Sequence, residues 1–363
     1  MQSGLPIIAS AVLAGLAASP AQANDSTAEL GTGGLILSRT DAIAMQKEDL
    51  FISRDEIKVD YVFRNITDAD VSTIVAFPMP DISGNPFSLP AIPNDPDRNF
   101  LGFTVSVDGK AIAPTLEQRA FAVGVDITAD LESHGIPLYP NGEAAISALA
   151  ELPEAVARDW IDRGIIVIDE YDDGSGWKKV RSPYWQLRST FWWRTNFPAN
   201  KDVAVSHRYK PSVGGSAGLN FFNEGRLEGA VFNDYKAKYC IDADIERAVL
   251  RAAKENPDGY PQLSENRISY VLTTGGNWAT GTIGDFTLTI DKGDKNALVS
   301  FCGEGVRKIG PTTFQMKARD YYPARDIDVL ILNAWDWQRE APLAGKGGKV
   351  RREPSPQSTG DGG

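Results

Sequence analysis

Apolar and polar residues alternate along much of this chain, and a period of two predicts half-buried β-strands. In the first clear case, every second residue from Ile57 to Phe63 is apolar. A second apolar run follows at residues 71–77. The residues between the two runs have turn composition. We therefore expect the two strands to pair as a hairpin.

The same pattern continues towards residue 113. Apolar residues alternate from Phe103 to Val107 and meet Asp108-Gly109, a dipeptide typical of the type I′ turn in two-residue hairpins. Short antiparallel strands joined by such turns are typical of a sandwich. We predict an N-terminal β-sandwich region over residues 24–125.

Residues 126–165 differ from this region because their apolar residues follow a helical period. Ile146 and Leu149 are three positions apart, and Val156 and Trp160 are four apart, so each pair lies on one face of a short helix. A proline opens the second helix, a position that proline favours. We predict a helical insertion here.

Strand patterns return over residues 166–338, which we predict to form a C-terminal β-rich region. Residues 203–209 alternate and predict one strand, and residues 235–240 predict another. One amphipathic helix is predicted at residues 244–255, where apolar residues recur at intervals of three and four.

The predicted fold class is therefore mainly β, with antiparallel β-sandwich regions, a short helical insertion and one further amphipathic helix. The last segment, residues 339–363, lacks apolar periodicity and contains many glycine, charged and polar residues. Such a segment buries too little apolar surface to fold. We predict a disordered tail, and the number of domains stays open between one and two.

The first two dozen residues have the pattern of a secretory signal peptide. An apolar run is followed by Ala21-Gln22-Ala23, the small-x-small motif that signal peptidase reads. We predict a signal peptide over residues 1–23, cleaved after Ala23, and a periplasmic or secreted protein. No later stretch approaches the ~20 apolar residues of a spanning helix, so we expect no membrane span in the mature chain.

The charge balance narrows the classes of partner. The chain has 37 basic and 48 acidic residues and a formal net charge of -11. Nucleic acids and anionic membranes need a basic surface, so we predict no nucleic-acid partner. An envelope protein or a glycan is the expected partner, while the oligomeric state stays open.

The two cysteines, Cys240 and Cys302, are expected to pair. Disulfides form in the oxidising compartments that exported proteins enter, and two free buried thiols are the alternative. Neither cysteine lies in a CxxC motif, and the chain has only two histidines. We therefore predict no metal site and no cofactor.

Several segments together resemble a known family. They are AELGTGGL at residues 28–35, AFPMPDI at residues 76–82, SHRYKPSVGG at residues 206–215 and DYYPARDIDVLIL at residues 320–332. They resemble an uncharacterised exported bacterial family, domain-of-unknown-function family 4424, over nearly the whole mature chain. The resemblance implies no established activity and no catalytic residue that could be transferred to this sequence.

The histidine with the most suggestive neighbours is His207. Alternation places His207 on the face of Val205 and Tyr209, while Ser206 points the opposite way, which prevents a Ser–His pairing between neighbours. A buried, hydrogen-bonded structural histidine is the expected role, with a catalytic or ligand-contacting histidine as the alternative. The chain contains no GxSxG elbow, HExxH helix or phosphate-binding loop, so we predict no catalytic residue.

The aromatic stretch at residues 184–197 is the other candidate for ligand contact. Its tryptophans, Trp185, Trp192 and Trp193, could stack on a sugar, although core packing is the commoner role of such a run. The leading hypothesis is a non-enzymatic β-sandwich binding or interaction module in the cell envelope. The alternative is a carbohydrate-active hydrolase with paired carboxylates in an aromatic cleft.

Overall fold

The structure is a computed structural model that describes residues 26–31, 34–85, 92–93, 98–172 and 174–334. Within these residues the protein is mainly β, with antiparallel sheets and five helices, which confirms the predicted fold class. The predicted signal peptide and the predicted disordered tail lie outside the described residues. No described helix combines the length and apolar character needed to cross a membrane.

The strands follow one another from residue 26 to residue 334. In chain order they are β1 Ser26–Gly31, β2 Gly34–Ser38, β3 Ile43–Ile52, β4 Ile57–Asn65, β5 Val71–Pro78, β6 Ile82–Ser83, β7 Thr104–Val107, β8 Lys110–Ile112, β9 Thr115–Ala122, β10 Val125–Asp126, β11 Ile166–Asp172, β12 Trp177–Pro183, β13 Gln186–Phe197, β14 Asp202–Tyr209, β15 Gly214–Ser216, β16 Leu263–Tyr270, β17 Ala279–Asp291, β18 Leu298–Phe301, β19 Arg307–Lys308, β20 Thr313–Tyr321 and β21 Ile327–Ala334.

These strands form three sheets and one separate hairpin, β11–β12. Sheet 1 has the order β10-β9-β13-β5-β1-β2, with β6 also paired to β13. Sheet 2 has the order β19-β20-β17-β3-β4-β14-β7-β8, and sheet 3 has the order β15-β16-β21-β18. In sheet 2 the neighbours β3 and β17 run parallel, although they come from opposite ends of the described chain.

The predicted hairpin between residues 56–64 and 71–77 is wrong. Both strands exist, but β4 pairs with β3 and β14 in sheet 2, whereas β5 pairs with β13 and β1 in sheet 1. The Asn65 side chain donates hydrogen bonds to the carbonyls of Ala69 and Phe197. The intervening residues therefore form a corner between two sheets. By contrast, β7 and β8 form the predicted hairpin, with positive φ at both Asp108 and Gly109.

The main core lies between the inner faces of the three sheets. The Trp193 ring of sheet 1 packs edge-on against the His207 ring of sheet 2, with 5.4 Å between centroids. The hydroxyls of Tyr61 in sheet 2 and Tyr270 in sheet 3 are 3.0 Å apart. All four side chains are buried. Sheet 2 therefore packs against sheet 1 with one part of its inner face and against sheet 3 with another.

Three helices, α1 Thr128–Ser133, α2 Glu143–Ala150 and α3 Glu154–Asp162, lie within the predicted helical insertion. They surround a second core that includes Leu131, Leu149 and Trp160, together with Ala120 of β9 and Trp185. Sheets 1 and 2 each contain strands that precede the insertion in the chain and strands that follow it. The division of the chain into domains stays a prediction.

The remaining helices are α4 Ala230–Tyr239 and α5 Ala243–Glu255. They cover the outer face of sheet 3, where Val249 and Phe232 join a cluster with Leu330 and Leu332 of β21. Helix α5 agrees with the prediction at residues 244–255. The strand predicted at residues 235–240 is wrong, because these residues complete α4 and its C-cap.

Candidate functional site

The four residues predicted to contact a ligand do not share a surface. Trp185, Trp193 and His207 are buried, and the Trp185 indole N–H donates a 2.8 Å hydrogen bond to the carbonyl of Leu138. Trp192 is half-buried and faces the side of sheet 1 opposite to Trp193, its neighbour in β13. The structure therefore does not bring these rings into one cleft, and their contact with a ligand stays a prediction.

His207 lies among aromatic rings in the main core. The rings of Tyr61, Phe77, Phe103 and Trp193 surround it edge-on, with centroids 5.1 to 5.4 Å away. Burial lowers its pKa to about 3, although the charge of Asp60 acts in the opposite direction. The imidazole is therefore neutral at physiological pH and is closed off from solvent.

Cys240 and Cys302 form a disulfide, with 5.1 Å between their Cα atoms. Cys240 caps the C-terminus of α4 in a left-handed conformation, with φ of 54°. Cys302 directly follows β18. The bond therefore joins the helices to sheet 3 near the surface. The hydroxyl of Ser300 supports this junction by donating a 3.0 Å hydrogen bond to the carbonyl of Tyr239.

The strongest candidate site is an opening between two loops beside sheet 3, which we call the apolar cleft. It has a volume of about 410 Å³. The first loop connects β15 to α4, and the second connects α5 to β16. The residues that define the cleft are Ala217, Leu219, Phe222, Asn256, Tyr260 and Gln262.

Short-range hydrogen bonds shape both loops. In the first, the Ser216 hydroxyl donates to the carbonyl of Gly218 at 2.6 Å, and the amide of Phe222 donates to the carbonyl of Leu219 at 3.2 Å. The second loop is closed by the Asn256 side chain, which donates to the carbonyl of Tyr260 at 2.6 Å. Local contacts therefore fix each wall of the cleft.

Aromatic rings join the two walls. The rings of Phe222 and Tyr260 pack edge to face, with centroids 5.8 Å apart. Phe222 is buried, whereas Tyr260 is 52% exposed and forms the rim. The apolar side of the cleft is therefore anchored in the protein, and its outer edge can contact a ligand.

A buried ionic network lies behind the first loop. Glu265 of β16 is fully buried, and its Oε1 accepts hydrogen bonds from Arg267 at 2.9 Å and from the Tyr235 hydroxyl at 3.2 Å. Burial raises the pKa of Glu265, while Arg267, Tyr235 and the Asn220 backbone oppose this shift. Because Asn220 belongs to the same loop as Leu219, the network holds the inner wall of the cleft in place.

This arrangement fits binding better than catalysis. The residues that line the cleft include no carboxylate, histidine, lysine, arginine or cysteine, and the polar side chains among them are Asn256, Tyr260 and Gln262. Apolar walls with a few polar groups are typical of small-molecule sites. Among the described residues, no histidine, cysteine and carboxylate groups assemble into a set that could hold a metal ion.

Sequence reasoning did not identify the apolar cleft. Its two loops are separated by α4 and α5, and neither loop carries a motif. The available signal was turn composition, since residues 217–229 and 256–262 are rich in glycine, asparagine and proline. Such a signal predicts a loop but not which other loop it will meet.

The chain is similar to one protein family and to a solved structure. A family model described as Domain of unknown function (DUF4424) matches residues 23–330, which confirms the resemblance seen in the sequence. No curated protein matches the chain. The solved structure is of a "putative nutrient binding protein" from Legionella pneumophila, with 15% identity and a TM-score of 0.39 over 85% of this chain and 72% of that chain.

Proposed function

This chain belongs to the DUF4424 family, and we propose that it is a non-enzymatic binding protein of the cell envelope. The apolar cleft is the observation that carries the proposal. Its two loops are held by hydrogen bonds within the protein, and Tyr260 at the rim stays accessible. The export pattern in the sequence and the Cys240–Cys302 disulfide support an oxidising location outside the cytoplasm.

The proposed ligand is a small molecule with an apolar body and a polar group. A volume of about 410 Å³ lies within the range of small-molecule sites. Leu219 and Phe222 would contact the apolar body, and Tyr260 would cover it. Asn256 and Gln262 would contact the polar group. A charged group on the ligand would have no oppositely charged side chain to pair with, because no charged side chain lines the cleft.

The test uses N-phenyl-1-naphthylamine, an uncharged dye whose fluorescence rises when its rings enter an apolar site. Ala217 lies exposed at the cleft, so we expect Ala217→Trp to fill the opening and abolish binding without disturbing the core. Tyr260→Ala should weaken the Kd about tenfold, the equivalent of about 1.4 kcal/mol for one lost aromatic contact. Tyr322→Ala is the matched control, since Tyr322 is exposed and lies outside the cleft.

Two results would contradict the proposal. Equal dye binding by the unmodified protein and by Ala217→Trp would place the dye elsewhere. A small-molecule extract of the envelope should displace the dye from the unmodified protein, and failure at saturating extract would mean that no such ligand is present. Thermal unfolding of each variant confirms that the fold is retained.

The hydrolase predicted as the alternative is not the function that we propose. Trp185 and Trp193 are buried, and no acidic residue lines the apolar cleft. Turnover of any substrate in a glycosidase panel by the purified protein would overturn the non-enzymatic proposal.

A further inference from the structure

A second surface with different chemistry lies on the solvent face of sheet 2. A depression of about 540 Å³ crosses the four adjacent strands β4, β3, β17 and β20. We call this surface the polar trough. Lysine, aspartate, threonine and glutamine side chains line it together with Phe51. It lies on regular strands and shares no residue with the apolar cleft.

The strand register places the polar side chains of the trough in one row. Asp60 of β4 is opposite Asp49 of β3, Asp49 is opposite Thr287 of β17, and Thr287 is opposite Lys317 of β20. Ser206 of β14 extends this row beyond Asp60. Since residues directly opposite in a sheet lie about 5 Å apart, the row spans about 15 Å, and the flexible four-carbon stem of Lys317 shortens the distance that a ligand must bridge.

A second row runs parallel to the first, two residues away along each strand. Lys58 is opposite Phe51, Phe51 is opposite Thr289, and Thr289 is opposite Gln315. The Gln315 amide donates a 3.1 Å hydrogen bond to the Thr289 hydroxyl. Phe51 is half-buried and has polar neighbours on both strands beside it. The second row therefore offers an apolar platform between hydrogen-bonding groups.

Each aspartate of the trough is paired with a lysine of its own strand. Lys47 contacts Asp49 at 2.6 Å, and Lys58 contacts Asp60 at 2.5 Å. Burial acts to raise the pKa of Asp60, but hydrogen bonds from Lys58 and Ser206 outweigh it, so the pKa is lowered. The two carboxylates are therefore acceptors for donors on a ligand.

Lys317 supplies the third ammonium group of the trough. Unlike Lys47 and Lys58, it has no ion-pair partner within the described part of the chain. The trough thus carries three ammonium groups and two carboxylates, a positive excess in a chain with a net charge of -11. An anionic group of a ligand would find its partner at Lys317.

We propose that the polar trough binds a sugar acid, a polyhydroxylated ring with one carboxylate. The carboxylate of the ligand pairs with Lys317. Its hydroxyls donate to Asp49 and Asp60 and exchange hydrogen bonds with Thr287. The C–H face of its ring packs on Phe51. This combination of one anion, several hydroxyls and an apolar face matches the groups that the two rows present.

The same geometry opposes cleavage of the bound sugar. Glycosidases of the common type need one protonated carboxyl group as the general acid beside a charged partner. In the trough each carboxylate already accepts from its own lysine, and the lowered pKa of Asp60 opposes the protonated form that a general acid needs. The site is built to hold the ligand without turnover.

The test is calorimetric titration of the full mature protein at low salt with glucuronate, glucose and acetate. Glucuronate should bind, while glucose lacks the anion and acetate lacks the hydroxyls, so each should bind at least tenfold more weakly. Lys317→Met should weaken glucuronate binding about tenfold, and Lys317→Arg should largely restore it. Lys295→Met, which removes an exposed lysine outside the trough, should leave affinity unchanged.

The hydroxyl contacts need a separate variant. Asp49→Asn keeps the size of the side chain and should weaken both glucuronate and glucose, whereas Lys317→Met should affect glucuronate alone. Ala217→Trp, which closes the apolar cleft, should not change either titration, so failure of the cleft proposal and failure of this one are distinguishable.

Three results would overturn the sugar-acid site. The first is the absence of any heat of binding with glucuronate at concentrations up to tens of millimolar. The second is equal affinity for acetate and glucuronate, and the third is equal affinity for glucose and glucuronate. Hydrolysis of a glucuronide by the purified protein would overturn the claim of binding without turnover. Circular dichroism of each variant establishes that the sheet is intact.

Discussion

At the scale of single residues, the placement of His207 shows what alternation can predict. The pattern from Val203 to Tyr209 assigns His207 to one face, and the structure places that face in the core, with Ser206 facing the trough. The pattern could not predict which four rings surround the imidazole, because Phe77, Phe103 and Trp193 come from other strands or loops.

We predict that His207 makes the fold sensitive to acid. Burial lowers its pKa to about 3 from an ordinary value of 6.5, so below pH 6.5 the unfolded chain binds a proton that the folded chain excludes. The free energy of unfolding therefore falls as the pH drops from 6.5 towards 3, by about 3 kcal/mol at pH 4.5. His207→Gln should remove this part of the decrease between pH 7.5 and pH 4.5, as measured by urea unfolding.

The quantity to compare is the difference between the free energies of unfolding at pH 7.5 and pH 4.5. The absolute stability is not suitable, because His207→Gln also changes it through lost packing. His134→Gln is the matched control, because His134 lies exposed at the end of α1. It should retain the full wild-type decrease. An unchanged decrease in His207→Gln would mean that the buried imidazole is not responsible.

At the scale of single elements, helix α4 shows where periodicity is insufficient. Residues 235–240 alternate over only six positions, and Tyr235 and Tyr239 are also spaced for one helix face. Their rings lie 5.4 Å apart on that face. A short apolar pattern fits both periods, so tertiary packing against β21 decided between them.

The disulfide joins this helix to sheet 3, and we predict a large effect on stability. It closes a loop of 62 positions, so Cys240→Ser/Cys302→Ser should lower the free energy of unfolding by about 4 kcal/mol. Chemical denaturation of the oxidised protein and the double variant measures the difference. Recovery of both cysteines as free thiols from the denatured, unreduced protein would contradict the crosslink itself.

A second double variant separates the crosslink from the backbone at Cys240. This residue has φ of 54°, a conformation that costs other residues about 1 kcal/mol more than glycine. Cys240→Gly/Cys302→Ser should therefore be more stable than the serine pair by about that amount. Equal stability of the two variants would mean that the helix end relaxes when the disulfide is lost.

At the scale of the whole molecule, the sequence predicts strands better than it predicts their partners. Most strands of the C-terminal region follow from alternation, but the corner at Asn65 and the parallel pair β3–β17 depend on contacts across the chain. The candidate sites also depend on contacts between distant parts of the chain. The apolar cleft joins two loops separated by two helices, and the polar trough joins four strands, so neither is a local pattern.

We predict that the protein is exported and that its processed form begins at Asn24, just before β1. Ser26 is buried and accepts a 3.0 Å hydrogen bond from the Asn277 side chain, so cleavage after Ala23 leaves the whole strand in place. Intact-mass measurement of the periplasmic or secreted protein checks the position. Ala23→Lys should block processing, whereas a mature terminus beyond Ser26 would contradict the prediction.

The parallel pair β3–β17 also sets the timing of folding. A chain that is delivered from its N-terminus presents β3 early, but the partner strand, residues 279–291, arrives only after most of the sequence. Until then sheet 2 stops at β3, whose open backbone edge can pair with a neighbouring chain. A chain halted before residue 279 is therefore prone to aggregation, and nearly the full length must be delivered before that edge is closed.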